Sequence, residues 1–309
     1  TEGIGGSVRS IAAATGSISF SIDWWGMSSE DIGMMAAGFS QHLATSLSVT
    51  DRIPQAMANW LILTHAIEGP MKSHEAFRRP DSGELLYDDS EINFLGISMG
   101  AIFGGIYGAL NPSIDRVILH VGGIAFTQMM FRSGPFGNLL FMLDLSMPDP
   151  LEQQKLAAVM QTQFDRIDPA SFAPFLVGEE LPQGPPSGYE DRSLLIQVGL
   201  ADSSVPNFAS FIHARMTNAQ LMTPSPYEPW GIESVEAAGE RPILTLFDTG
   251  EDQSFAAQPD PPLDGYTSIH NRLRNLPEVV GQMQDFLVDG RVVHPCDHGC
   301  GPSSELVLP

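Results

Sequence analysis

Gly96-Ile97-Ser98-Met99-Gly100 sets a single serine between two glycines, where an apolar run (Ile92–Ile97) gives way to a small-residue stretch containing Gly104, Gly105 and Gly108. A serine hydroxyl is a weak nucleophile until a neighbouring base takes its proton. Gly-x-Ser-x-Gly at a strand-to-helix junction is the pattern of a nucleophile elbow, a turn so tight that it projects the serine from the backbone. The glycines at 96 and 100 are expected to relieve contacts with neighbouring backbone. A helix beginning at Met99 would aim its positive end at the site and offer the Met99 N–H to a developing oxyanion. The bland alternative is a glycine-rich packing turn with an inert serine. The order of strand, elbow and small-residue helix argues against it.

The elements around this junction alternate. The β-rich residues 18–25 read as a strand, followed by helices over 30–48 and 51–68 and a polar, turn-rich stretch over 69–90. Residues 92–97 form the strand before the elbow and 99–110 the helix after it. Further strands are expected over 115–121, 193–198 and 242–247, with helices over 208–219 and 277–287. Strands alternating with helices imply an α/β fold built on a mostly parallel sheet, whose chemistry sits at the carboxyl ends of the strands. Residues 124–190 break the alternation with large apolar side chains and prolines. They read as a helical cap or lid inserted into a core made of residues 1–123 and 191–309.

Composition narrows the partners. The 309 residues carry 37 acidic and 15 basic side chains, a net charge of −22, and Lys72 and Lys155 are the only lysines. Such a surface disfavours nucleic acid, which is bound through Lys and Arg contacts to phosphate, and it disfavours anionic membranes. No run of eighteen apolar residues marks a membrane span. Both cysteines lie in His294-Pro-Cys296-Asp-His298-Gly-Cys300. The expected state is a disulfide between Cys296 and Cys300, which places the chain in an oxidising setting: secreted, periplasmic or at the cell surface. A zinc site is the weaker reading, because these four candidates lie too close together to enclose a tetrahedral ion.

With the elbow and the alternating elements in place, the chain resembles the α/β-hydrolase superfamily, and within it bacterial lipases and carboxylesterases. The resemblance runs from the glycine loop at 3–6 to the helix ending near Leu287. It implies a triad in the chain order serine, acid, histidine. The acid loop is then Gly199-Leu-Ala-Asp202-Ser-Ser-Val-Pro206, with Asp202 as the acid and Asp248 as the second candidate. Among eight histidines, His270 stands between the last strand and last helix, where the family carries its base. His298 also follows the last strand and is second choice.

The second oxyanion donor is expected from the glycine loop Thr1-Glu-Gly-Ile4-Gly-Gly6, with Ile4 as candidate. In the cap, Phe126, Met129 and Met130 are candidates for binding an apolar acyl group or meeting a lipid interface. The implied activity is hydrolysis of small-molecule or lipid carboxylic esters through an acyl-enzyme, with no metal or organic cofactor. Alternatives are a non-catalytic binding protein on the same fold, or a hydrolase of thioesters, amides or polyesters. Aligning residues 3–6 with the family's oxyanion loop leaves no sequence for the fold's first three strands. A second chain or a lost N-terminal segment is therefore expected to supply them.

Overall fold

The computed structural model describes residues 5–41, 47–178, 181–182, 192–250, 267–296 and 300–301. Its centre is a six-stranded sheet in which every ladder is parallel. In chain order the strands are β1 (Asn93–Ile97), β2 (Arg116–His120), β3 (Ser193–Gly199), β4 (Gln220–Met222), β5 (Ser234–Val235) and β6 (Ile243–Phe247). Across the sheet they run β1-β2-β3-β6-β4-β5. The fold is thus α/β. Strands β2, β3 and β6 are buried on nearly every residue, as a parallel sheet covered on both faces requires.

The helices are α1 (Gly6–Thr15), α2 (Ile32–Gln41), α3 (Val49–Glu68), α4 (Met99–Leu110), α5 (Phe126–Met130), α6 (Gly137–Ser146), α7 (Pro150–Phe164), α8 (Ala173–Leu176), α9 (Asn207–Met216), α10 (Ile269–Arg272) and α11 (Pro277–Asp289). Side chains alternate across a strand, so neighbours along β1 and β2 enter different cores. Phe94, Val117 and Leu119 join a cluster with Trp60 of α3, Phe103 and Tyr107 of α4, and Ala209 of α9. Ile97 and Ile118 join a second cluster with Ile11 of α1 and Met283 and Phe286 of α11. Helices therefore cover both faces.

Two departures from the sequence reading stand out. Residues 17–24 form no ladder with any strand, although their composition is β-rich. Pairing depends on a neighbouring strand in register, and among the described residues none ladders with this segment. In addition, the short strands β4 and β5 lie beyond β6, in a stretch to which the sequence assigned no element. Between β2 and β3 the described residues are helical or turn, from α5 to α8.

The Cys296–Cys300 disulfide is formed. It ties a tail segment that bridges to Phe247 at the end of β6, where Asp248 N–H donates to the Cys300 carbonyl at 2.6 Å. No helix among the described residues is long and apolar enough to cross a membrane.

Candidate active site

β1 ends at Ile97, and the next residue turns sharply. Ser98 has φ 57° and ψ −121°, a conformation rarely adopted by a residue with a side chain. The turn persists because both flanks are held. Ser98 N–H donates to the His120 carbonyl of β2 at 2.9 Å, while the Ser98 carbonyl accepts from Ala101 and Ile102 N–H in the first turn of α4. Gly96 is required here: a Cβ would lie 2.4 Å from the Gly100 carbonyl oxygen. Gly100 is not under the same constraint. A Cβ there would meet only Trp24 Nε1, at 3.9 Å, so the expected crowding at both glycines holds for one of them. Further along α4, a Cβ on Gly104 would lie 2.3 Å from the Phe94 ring, so the small residues let the helix sit directly on the strand that launches it.

The acid loop follows β3. Its turn places Ala201 at φ 62°, pinned by its N–H to Asn207 Oδ1 at 2.8 Å, while the Asn207 amide returns a bond to the Gly199 carbonyl at 2.7 Å. Asp202 is 1% exposed. Its Oδ1 accepts from Ser204 and Val205 N–H at 2.7 and 3.1 Å, which leaves Oδ2 for another donor. That donor is His270 Nδ1, at 2.7 Å. On the far side of the ring, His270 Nε2 lies 2.8 Å from Ser98 Oγ. Three residues far apart in sequence thus meet at the carboxyl ends of β1 and β3.

The histidine is delivered by α10, which packs over the end of β3. A Cβ on Gly199 would come within 2.7 Å of Ile269, so this glycine admits the helix that carries His270. Sequence reasoning missed the fastening between the two loops. Thr267 Oγ1 donates to the Ala201 carbonyl at 2.6 Å, and Thr267 N–H donates to Ser203 Oγ at 3.1 Å. Ser203 and Thr267 are small loop residues with no periodicity; only their adjacency to Asp202 and His270 could have marked them.

The chemistry available follows from the donors. As a carboxylate, Asp202 only accepts, so Nδ1 of His270 carries the proton and Nε2 is left to accept from the Ser98 hydroxyl. Met99 is the first residue of a twelve-residue helix, at the end where backbone N–H groups lack intrahelical partners and the helix dipole is positive. Ile4 and His298 lie outside the described residues. Asp248 bonds to Gly250 N–H at 2.9 Å and takes no part in the constellation. His120 and His213 are wholly buried, and desolvation pushes them down to about 3 and about 4, which keeps both neutral. His120 donates from Nδ1 to Gln197 at 3.0 Å, continuing through Gln282 to Thr245 beneath the site.

Phe126, Met129 and Met130 are buried in the core, where Phe126 stacks on Phe164 with centroids 4.9 Å apart. They line neither of the described cavities. A cavity of about 830 Å³ does open beside Ser98 and Met99, and it runs along β1 between α1 and α3.

No protein-family model matches the chain, and no curated protein matches it. Among solved structures, the acetyl xylan esterase 1 of a Thermoanaerobacterium species superposes with a TM-score of 0.40 at 13% identity, over 70% of this chain and 55% of that one. The match therefore spans about half the length of that esterase, and a superposition this loose leaves the functional reading to the geometry.

Proposed function

We propose that the chain is a serine hydrolase of carboxylic esters built on the α/β-hydrolase plan, with Ser98 as nucleophile, His270 as general base and acid, and Asp202 as the residue that orients the imidazole. The observation that carries this reading is the single histidine ring bonded to Ser98 Oγ on one nitrogen and to a buried carboxylate on the other. In the reaction, His270 Nε2 takes the Ser98 proton as Oγ attacks the ester carbonyl carbon. The carbonyl oxygen becomes an oxyanion facing Met99 N–H. Collapse of the tetrahedral species breaks the ester C–O bond, and His270 gives its proton to the departing alkoxide. Water then enters, gives a proton to His270, attacks the acyl carbon and releases the acid, and Oγ recovers its proton. The Asp202 carboxylate accepts from Nδ1 and stabilises the imidazolium between steps. The scheme needs no metal or organic cofactor.

The second oxyanion donor is proposed to come from the N-terminal loop that contains Ile4. Residues 124–190 are proposed to act as the cap. Exposed Phe141 and Leu145, one turn apart on α6, give that region an apolar outer face. The buried positions of Phe126, Met129 and Met130 favour a packing role in that cap over direct acyl contact. The disulfide supports an oxidising location, outside the cytoplasm.

Turnover of p-nitrophenyl esters of graded chain length by the native chain and by Ser98→Ala tests the proposal. Hydrolysis that disappears with the hydroxyl supports it. A native chain that turns over none of these esters, nor thioesters or amides, would favour a binding protein on the same fold.

A further inference from the structure

The segment that follows β2 reaches into the acid loop. Ser133 is 1% exposed, and its hydroxyl donates to the Ser204 carbonyl at 2.6 Å. Gly134 N–H donates to the Ser203 carbonyl at 2.8 Å. Both carbonyls belong to peptide units whose other ends hold the acid. A peptide unit is a rigid plane, and in its trans form the carbonyl and the N–H point in opposite directions. In the unit joining residues 203 and 204, the carbonyl accepts from Gly134 and the N–H donates to Asp202 Oδ1 at 2.7 Å. In the next unit, the carbonyl accepts from Ser133 and the N–H donates to the same oxygen at 3.1 Å. Residues 133 and 134 therefore grip the far ends of the two planes that fix Asp202.

The grip has a firm base. Ser133 N–H donates to the Met130 carbonyl at the end of α5 at 3.3 Å, and Met129 and Met130 are buried in the core. At the start of α5, the wholly buried Asp168 carboxylate accepts from Ala125, Phe126 and Ala170 N–H, which joins this helix to the residues before α8. Arg132 lies over the Phe208 ring, 5.0 Å from its centroid, just beyond the acid loop. A bond at a carbonyl also polarises its peptide unit, so the N–H at the other end becomes the stronger donor. Both units direct this effect at Oδ1 of the carboxylate whose Oδ2 accepts from His270 Nδ1.

We propose that Ser133 is a positioning residue of the hydrolase, acting on Asp202 through the Ser204 carbonyl, with Gly134 N–H as its parallel contact through the Ser203 carbonyl. Displacing the segment after β2 turns the two planes, rotates the Asp202 carboxylate and weakens its bond to His270. The placement of that segment and the alignment of the triad are thus set together. The path is separate from the Thr267 fastening, which uses the side chain of Ser203 rather than its carbonyl. The inference rests on the esterase reading for the role of Asp202, whereas the hydrogen-bond path is independent of it.

The test uses the full chain with isotopically labelled histidines, native and as Ser133→Ala. The His270 Nδ1 proton, bonded to a carboxylate, is read by NMR as a far-downfield resonance and assigned by its absence from His270→Asn. In Ser133→Ala it should move upfield and exchange with water about tenfold faster. The kcat for p-nitrophenyl acetate should fall about tenfold while KM stays within about twofold. Gly134→Ala, whose Cβ would lie 3.2 Å from the Ser203 carbonyl oxygen, should act in the same direction and replaces Ser133→Ala if that variant does not fold. A resonance and a kcat that stay native in a folded variant would overturn the proposal, as would a rise in KM alone or a loss of urea stability alone. The resonance is read without substrate, so its response supports the coupling even in a chain that hydrolyses no ester.

Discussion

The two sides of β1 are held differently. Toward β2, the strand is laddered along its length, and its last hydrogen bond fixes the strained turn at Ser98. Away from β2, the same residues present an unpaired apolar edge to a cavity. The hydrogen-bonded Ser98, His270 and Asp202 gather on the laddered side, where Asp202 and His270 arrive from β3 and α10. A serine held at φ 57° needs a rigid launching strand, and a parallel ladder provides it from one side alone.

Substitutions probe this contrast. The largest effect should come from Ser98→Ala, with a loss in kcat of about a millionfold and an unchanged unfolding midpoint in urea. A fall in stability comparable with the fall in activity would mean that the residue serves the fold. Asp202→Asn should follow, at about ten-thousandfold in kcat, because an amide can hold the imidazole in the wrong tautomer. The pH–rate profile of that variant should differ in shape from that of the native chain.

The glycines separate local crowding from motif. Gly96→Ala sets a methyl 2.4 Å from the Gly100 carbonyl and should destabilise the fold by about 3 kcal/mol. Gly100→Ala, with open space around it, should cost less than about 1 kcal/mol and keep the esterase. Equal costs in chemical denaturation would contradict the description of the elbow.

Acid should act through His120 and His213. Their folded values, about 3 for His120 and about 4 for His213, lie below the ordinary 6.5, so the unfolded chain binds more protons between those limits. Stability from this source is complete above pH 6.5 and is lost as pH falls, by about 2 kcal/mol per histidine at pH 5. His213→Leu should remove about half of that loss between pH 7 and pH 5. Smaller still is the disulfide. Replacing Cys296 and Cys300 by serine closes no large loop and should cost about 2 kcal/mol or less. The tail beyond Asp289, rather than the sheet, should loosen, as limited proteolysis would report.

The elbow was legible because its signal is local: strand, glycine, serine and small-residue helix follow within twenty residues. Asp202 and His270 were reached only through the family's chain order, since an Asp in a turn and a His before a helix have no distinctive pattern. Residues 17–24 have the composition of a strand, yet a ladder requires a neighbour that composition cannot announce. β4 and β5 are too short to show a period. The large side chains at 126, 129 and 130 were candidates for a ligand site and are buried in the core; hydrophobicity alone does not distinguish a pocket wall from an interior. Ser203 and Thr267, which fasten the acid loop to the histidine loop, are legible only in three dimensions.

The central claim is that Ser98 is an activated nucleophile. Reaction with a fluorophosphonate, followed by peptide mass analysis, tests it directly. One adduct per chain is expected, on Ser98, absent from Ser98→Ala and formed far more slowly by His270→Ala. An unlabelled native chain, or an adduct on another serine, would contradict it.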